Sequence, residues 1–359
     1  MRLLLAGGGT GGHLFPAVAL AQRLLAEESK AAVQFVGTAR GIEARVLPDL
    51  GLPLECIEVQ GFVNRNLMGK LAMLPQLWRS VLQARRILDR FRPDVVVGVG
   101  GYASAPVLVA ALWRKIPYVI HEQNAWPGLT NRLLGRWAKR VCLSLAEAER
   151  AFVSAPTLVT GNPLRPGMEE CPPISDGPPT LLVFGGSLGA RAINDGLLAA
   201  LPHLAGLRDH LTIIHQTGAG DVERVRQGYV AAGWPADGVV PFIHDMAAVY
   251  GRAHLVVCRA GATTIAELTA CGRPAILIPY PHAAGDHQSA NARALARKGA
   301  ALLLPQGQLS GEHLARLIGD LLQDRRRLLS MAGAAGSLAR RGAVDTILEI
   351  CRDIAARRS

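Results

Sequence analysis

Aromatic side chains are scarce in this sequence, with seven Phe, five Trp and five Tyr among 359 residues. No recognition motif and no clustered basic arm accompany them, so nucleic acid is not the expected partner of a chain that is nonetheless basic. Cysteine is also sparse. The six, at 56, 142, 171, 258, 271 and 351, form no CxxC pair and no Cys/His spacing suited to zinc, and they read as buried thiols in a reducing cytosol. A signal-peptide core is missing, because only Leu3 to Ala6 separate Arg2 from the first glycines, and secretion is not expected. The longest uncharged stretch, Val95 to Trp113, has the length of a membrane span but is broken by Gly98, Gly100, Gly101 and Pro106. It reads as strand, loop and helix. Neither GKS nor GKT occurs, which removes the ATP-binding P-loop.

Against these gaps stand 359 residues, half of them apolar and 19% charged, enough for two domains that each bury a core. Lys and Arg number 39 against 28 Asp and Glu, a net charge of +11, and residues 1–160 hold most of the excess with 19 basic against 11 acidic side chains. An anionic partner follows. Short apolar runs alternate with amphipathic stretches: LLLA (3–6), VQFVG (33–37), DVVVGVG (94–100), PYVIH (117–121) and RVCLS (140–144). That rhythm predicts a parallel α/β sheet. It pauses at MEECPPISDGPP (168–179) and restarts with TLLVF (180–184), LTIIH (211–215), VVPF (239–242), HLVVC (254–258), PAILIP (274–279) and AALLLP (300–305). Both halves open with an apolar strand, a glycine cluster and a helix. Twin doubly wound domains are predicted, with ligands at the carboxyl ends of the strands and in a cleft between the domains.

Gly7, Gly9 and Gly12 satisfy GxGxxG, and Pro16 suits the first turn of the helix that follows. The second strand, however, ends in Gly37, Thr38, Ala39 and Arg40, not in the acid that a nicotinamide dinucleotide's ribose requires. What remains is a glycine loop that admits a phosphate or sugar near the backbone, with Thr10 and His13 projecting, or else a purely structural turn. Gly185 to Gly189 match GxSxG, the nucleophile elbow of hydrolases, with Asp245 or Asp286 and His282 or His287 to complete a triad. Hydrogen bonding of Ser187 to a phosphate is the simpler role. In CRAGATTIAELTACGRPAILIPYP (258–281) a helix begins near Ala262 to Thr264 and presents N–H groups to an anion. Glu267, one turn in, either accepts two hydrogen bonds from a ribose diol or lies in solvent. HEQNAWPGLTNR (121–132) and HAAGDHQSANAR (282–293) offer His, Gln and Asn suited to sugar hydroxyls. Between Phe62 and Arg92, seven basic residues and Asp89 interleave with Leu, Met and Trp. This basic amphipathic surface either lies on anionic lipid or turns its apolar side to the core.

Taken in order over nearly the whole chain, GGGTGGHLFPAVALA, GGYASAPVLVAA, HEQNAWPGLTNR, GNPLR, FGGSLGARAIN, CRAGATTIAEL and the HQSANA stretch resemble one bacterial family, the glycosyltransferases that convert lipid I to lipid II in peptidoglycan synthesis. The resemblance implies the α/β GT-B glycosyltransferase architecture, two Rossmann-like doubly wound domains with an interdomain cleft. An acceptor- and membrane-binding domain is expected over 1–162, a UDP-GlcNAc-binding domain over 163–341, and a C-terminal helix at about 342–359 packed back on the first. It also implies inverting transfer of GlcNAc from UDP-GlcNAc to the 4-hydroxyl of MurNAc in undecaprenyl-diphospho-MurNAc-pentapeptide. By position it places Thr10, Gly11, Gly12 and His13 in the acceptor-side loop, with His13 the candidate base and Glu122 its competitor. Asn124 falls near the donor's GlcNAc, Arg165 and Ser187 face the nucleotide and diphosphate, and Ile243 and Met246 lie beside uracil. Ala262, Thr263 and Thr264 bring a helix N-terminus to the diphosphate, Glu267 clamps the ribose, and Gln288 meets the sugar. Leu188 and His287 stand where relatives can carry Gln. DxD is absent, so neither a metal nor a cofactor is expected. The expected partners are the two substrates, anionic phospholipid of the cytoplasmic leaflet, on which the protein sits peripherally, and other cell-wall synthesis proteins.

Overall fold

Strands covered on both faces read as unbroken apolar runs, and Leu3, Leu4, Leu5, Val95, Val96 and Val97 are all buried. The computed structural model describes residues 1–59, 74–165, 167–186 and 188–357. These form two units, Met1–Arg165 with Gly342–Ser359, and Pro166–Arg341.

In the first unit β1 (Arg2–Gly7), β2 (Ala32–Gly37), β3 (Leu54–Cys56), β4 (Val95–Gly100), β5 (Tyr118–Glu122), β6 (Arg140–Leu143) and β7 (Thr157–Val159) form one parallel sheet of order β3-β2-β1-β4-β5-β6-β7. Helices α1 (Gly11–Glu27), α2 (Glu43–Asp49), α3 (Leu74–Phe91), α4 (Ser104–Trp113) and α5 (Leu129–Leu134) connect the strands. Helix α3 buries Val81, Ala84, Ile87 and Leu88 in the core with Val107 and Leu108 of α4, while Trp78 is 55% exposed. The part of the basic amphipathic stretch at 62–73 lies outside the described residues.

The second unit repeats the plan. Strands β8 (Thr180–Phe184), β9 (Thr212–Gln216), β10 (Val239–Val240), β11 (Leu255–Cys258), β12 (Ala275–Leu277) and β13 (Ala301–Leu303) pair in parallel as β10-β9-β8-β11-β12-β13. Around them run α6 (Arg191–Ala200), α7 (Val222–Ala231), α8 (Met246–Arg252), α9 (Ala262–Ala270), α10 (His287–Arg297), α11 (Gly311–Gln323) and α12 (Arg325–Ser337). The last helix, α13 (Ala343–Ala356), belongs to the first unit. Its Ile347, Leu348 and Cys351 are buried with Leu20 and Leu24 of α1 and Val95 and Val97 of β4. Arg352 fixes the docking, its Nε on Glu28 at 2.9 Å and its Nη2 on Glu27 at 2.6 Å. These pairs are partly solvated, so the apolar contact carries most of the stability.

The cysteines correct the reading of six buried thiols. Cys142, Cys258 and Cys351 are buried, but Cys56 is exposed, and Cys171 and Cys271 form a disulfide with Cα atoms 4.9 Å apart. They meet because Cys271 caps the C-terminal end of α9, beside which the segment holding Met168 and Cys171 passes.

Candidate functional site

In each sheet the strand order reverses at one place, between β1 and β4 and between β8 and β11. There the connections leave on opposite sides and open a crevice at the carboxyl ends.

At the first switch point the loops after β1 and β4 lie backbone against backbone. A Cβ on Gly7 would collide with the carbonyl of Gly100, and one on Gly101 with that of Gly8. Helix α1 starts directly from this loop. Its N-cap, Thr10, is extended at φ −134° and makes no side-chain cap hydrogen bond, and no acid stands in the first turn. The positive end of α1 is thus left to Thr10, Gly11 and Gly12.

One buried carboxylate that the sequence did not single out shapes the loop. Glu43, 1% exposed, accepts from Gly9 N at 2.7 Å and from the N and Oγ1 of Thr38, both at 2.9 Å. Gly8, Gly37 and Gly41 crowd it so closely that a Cβ on any of them would overlap its side chain. The glycine run therefore serves two purposes, close backbone approach and a seat for this carboxylate.

His13, partly exposed on α1, places Nδ1 2.9 Å from Oε1 of Gln123. Gln123 is buried, with Nε2 3.0 Å from the carbonyl of Val99 and 3.0 Å from Nδ1 of His121. Burial pushes the His121 imidazole down to about 4, so the ring is neutral. Glu122 is buried too, and both its oxygens are engaged. Oε1 accepts from Asn124 N (3.0 Å) and Nδ2 (3.3 Å), and Oε2 from Gly128 N (3.1 Å) and Asn131 Nδ2 (2.8 Å). Arg165 lies in the same unit, its guanidinium 5.6 Å above the ring of Phe15.

The second switch point joins the loop after β8 to the start of α9. Ser187 lies outside the described residues; Leu188 beside it is 80% exposed. Gln216, at the end of β9, donates from Nε2 to the carbonyl of Gly186 at 2.8 Å and accepts at Oε1 from Ile243 N at 2.7 Å. One amide thus ties the glycine loop to Ile243. Met246 opens α8 behind its N-cap Asp245, whose Oδ1 accepts from Ala248 N at 2.9 Å.

Helix α9 begins at Ala262 with Gly261 as N-cap and no side-chain cap. The Thr263 hydroxyl is buried there with no hydrogen-bond partner among the described residues, and Thr264 follows it. Glu267 is 2% exposed, which removes the solvated alternative, and accepts from the Tyr250 hydroxyl at 3.2 Å. Arg259 braces the approach with Nη1 3.1 Å from the carbonyls of Ile278 and Pro279. Gln288, on α10, accepts from Tyr280 N at 2.9 Å, and His287 precedes it. The structure thus gathers Thr10, Gly11, Gly12, His13, Glu122 and Asn124 in the first unit. Ile243, Met246, Ala262, Thr263, Thr264, Glu267 and Gln288 belong to the second.

Glu43, Gln123, Gln216 and Tyr250 are the additional residues. The sequence signal for Gln123 was its place inside HEQN; for the others no local pattern marked them. Among the described residues, no three His, Cys, Asp or Glu side chains stand together as a metal site.

Both units match known proteins. Residues 3–143 match the glycosyltransferase family 28 N-terminal domain, and residues 180–347 match its C-terminal domain. The chain is 69% identical over 354 residues to the UDP-N-acetylglucosamine–N-acetylmuramyl-(pentapeptide) pyrophosphoryl-undecaprenol N-acetylglucosamine transferase of Syntrophotalea carbinolica, with 99% of each covered. It is 50% identical over 361 residues to the protein of the same name from Anaeromyxobacter dehalogenans, covering 100% of this chain and 94% of that one. The crystal structure of Acinetobacter baumannii MurG aligns with a TM-score of 0.80 at 34% identity, over 98% of this chain and 99% of the other. The GxSxG match falls inside the C-terminal domain match, so the hydrolase reading is left without support.

Proposed function

The chain belongs to glycosyltransferase family 28, and from that membership we infer that it transfers GlcNAc from UDP-GlcNAc to lipid I, giving lipid II for peptidoglycan synthesis. The observation that carries this is the full-length correspondence, at 69% identity, to a relative named for that transfer. The acceptor group is the 4-hydroxyl of MurNAc in undecaprenyl-diphospho-MurNAc-pentapeptide, and the anomeric carbon inverts.

The second unit holds the donor. The N–H of Ile243 is engaged by Gln216, so what Ile243 offers uracil is its carbonyl, an acceptor for the N3–H, with Met246 beside the ring. Glu267, steadied by Tyr250, accepts from the ribose diol. The N-terminus of α9, with Ala262, Thr263 and Thr264, meets the diphosphate. Ser187 and Arg165 assist, and Asn124 and Gln288 meet GlcNAc hydroxyls. The buried Thr263 hydroxyl, without a partner among the described residues, supports this placement.

Chemistry then requires a base and a sink for negative charge. His13 takes the proton of the acceptor hydroxyl while that oxygen forms the new bond to C1 of GlcNAc. The C1–O bond to the diphosphate breaks on the opposite side, and UDP leaves with the bonding pair. Glu122 spends both oxygens on Asn124, Gly128 and Asn131, which favours His13 as base and gives Glu122 the task of holding the Asn124 loop. Charge on the departing diphosphate is met by a helix end and a guanidinium, in keeping with a sequence without DxD.

A membrane-borne acceptor calls for a docking surface. Among the described residues no helix is long and apolar enough to cross a membrane. Instead Trp78 and Trp113, 55% and 47% exposed, stack at 5.7 Å, with the Arg85 guanidinium 4.6 Å from the Trp113 ring. Leu112 and Val109 are exposed on the same helix as Trp113. Aromatic and apolar groups bordered by Arg suit the headgroup boundary of an anionic leaflet, and this face of the first unit rests on the cytoplasmic side of the cell membrane. The experiment is transfer of labelled GlcNAc to a short-chain lipid I analogue with EDTA present, for the wild type and His13→Ala. Metal-independent transfer that collapses in the variant supports the reading; UDP-GlcNAc binding without turnover on a validated acceptor overturns it.

A further inference from the structure

We propose that Gln123 is a positioning residue that fixes the tautomer of His13, holding the proton on Nδ1 and leaving Nε2 as the basic atom. The argument rests on backbone carbonyls, which can only accept. Nε2 of Gln123 lies 3.0 Å from the carbonyl of Val99 and 3.2 Å from that of His121, so this end of the amide must be the NH2 group. Its other end, Oε1, is then the atom 2.9 Å from His13 Nδ1. An amide oxygen only accepts, and Nδ1 of His13 must therefore carry the hydrogen.

The far end of the chain gives the same direction independently. Nε2 of His121 lies 3.3 Å from the carbonyl of Gly161, which can only accept, and 3.2 Å from Oγ of Ser144, whose own hydrogen goes to Oδ1 of Asn162 at 3.3 Å, so it is the protonated nitrogen of a ring that burial keeps neutral. Nδ1 of His121 is left as an acceptor, and Gln123 Nε2 lies 3.0 Å from it. The two hydrogens on Gln123 Nε2 thus face only acceptors, the carbonyls of Val99 and His121 and Nδ1 of His121, which leaves Oε1 as the end turned to His13. Gln123 and His121 are 1% and 0% exposed, so water does not compete. Gly100 contributes by omission: at φ +90°, its missing Cβ would come within 3.1 Å of His13 Cε1.

The consequence is catalytic alignment through another residue, since Gln123 need not touch substrate. An imidazole free to exchange tautomers presents the wrong nitrogen part of the time and pays to reorient. The proposal rests on His13 as the base, and the test separates the two. The full chain is labelled with 15N-histidine, and the His13 resonances are identified by their loss in His13→Asn. Long-range 1H–15N spectra of the neutral ring are expected to show the Nδ1–H form alone in the wild type and a mixture, or the Nε2–H form, in Gln123→Met. Gln123→Met is also expected to lower kcat about 10- to 100-fold with KM for UDP-GlcNAc within about 2-fold. A proton on Nε2 in wild-type His13 overturns the tautomer assignment, even if the variant fails to fold. A Gln123→Met enzyme with the wild-type tautomer and wild-type kcat overturns the positioning role. Transfer that survives in His13→Ala, together with the Nδ1–H form in the wild type, removes the base and not the tautomer.

Discussion

The hydroxyl of Tyr250 donates to Oε2 of Glu267 at 3.2 Å, and neither side chain is more than 2% exposed. A carboxylate one turn into α9 is thereby held from the side by α8, the helix that Met246 begins. Replacing Tyr250 with Phe removes one hydrogen bond of about 0.5–1.5 kcal/mol and is expected to weaken UDP binding about 3- to 10-fold. Glu267→Ala removes the charge-assisted contacts as well and is expected to cost about 10- to 100-fold. Titration calorimetry with UDP and 2′-deoxy-UDP checks both. A Glu267→Ala protein that still prefers the ribose form would place the diol elsewhere.

Glu43 predicts a stability effect carried through the loop before His13. Glu43→Ala leaves the N–H of Gly9 and both donors of Thr38 without their acceptor, and because Gly9 is exposed and Thr38 only partly buried the cost is about 0.5–1.5 kcal/mol for each hydrogen bond lost. Thermal unfolding of the first unit is expected to fall by several degrees, with transfer activity reduced because the loop before His13 loses its brace. An unchanged melting temperature would mean that water replaces the carboxylate.

Acid should destabilise the protein through its buried imidazoles. His121 is pushed down to about 4 and His215 to about 3, each mainly by burial. In the unfolded chain histidine binds its proton near 6.5, so between these limits the unfolded state holds more protons and stability falls as the pH falls. The loss begins near pH 6.5 and runs to about 4 for His121 and about 3 for His215, on the order of a few kcal/mol each. Urea midpoints at pH 7 and pH 4.5 measure it, and His215→Gln should reduce the difference. Equal midpoints in the wild type would contradict the assignment.

Membrane docking is testable apart from catalysis. Arg79, Arg85 and Arg86 changed together to Glu are expected to abolish flotation with vesicles containing anionic lipid, while leaving UDP binding within about 2-fold. Each basic residue near such a surface contributes about 1 kcal/mol, so the charge reversal should be more than sufficient. Unaltered flotation would assign the binding to the exposed tryptophans alone.

Much of the fold was legible because its strands are buried on both faces. LLLA, DVVVGVG and TLLVF carry their burial in the sequence, whereas β3 and β7, three-residue edge strands with partly exposed side chains, do not. The candidate site was legible where a backbone requirement left glycine behind, at Gly7 to Gly12 and Gly185 to Gly189. It was not legible where a long-range neighbour decides. Glu43 matters because its α2 position meets Gly9 across the sheet end, and the amide of Gln123 takes its direction from the Val99 carbonyl that β4 brings beside it together with that of His121. The Cys171–Cys271 bond spans a sequence separation of 100 residues, which spacing alone does not reveal.

The return of α13 to the first unit also sets an order of events during synthesis. When Arg165 leaves the ribosome, β1 to β7 are complete, but Leu20, Leu24, Val95 and Val97 lack the helix that covers them. The chain then makes the whole second unit before Ala343–Ala356 emerges. At about 5–20 residues per second that delay is roughly 10–35 s. The unit begun first is finished last, and for that interval its apolar seam must be shielded by a chaperone, by the nascent chain or by its own transient collapse.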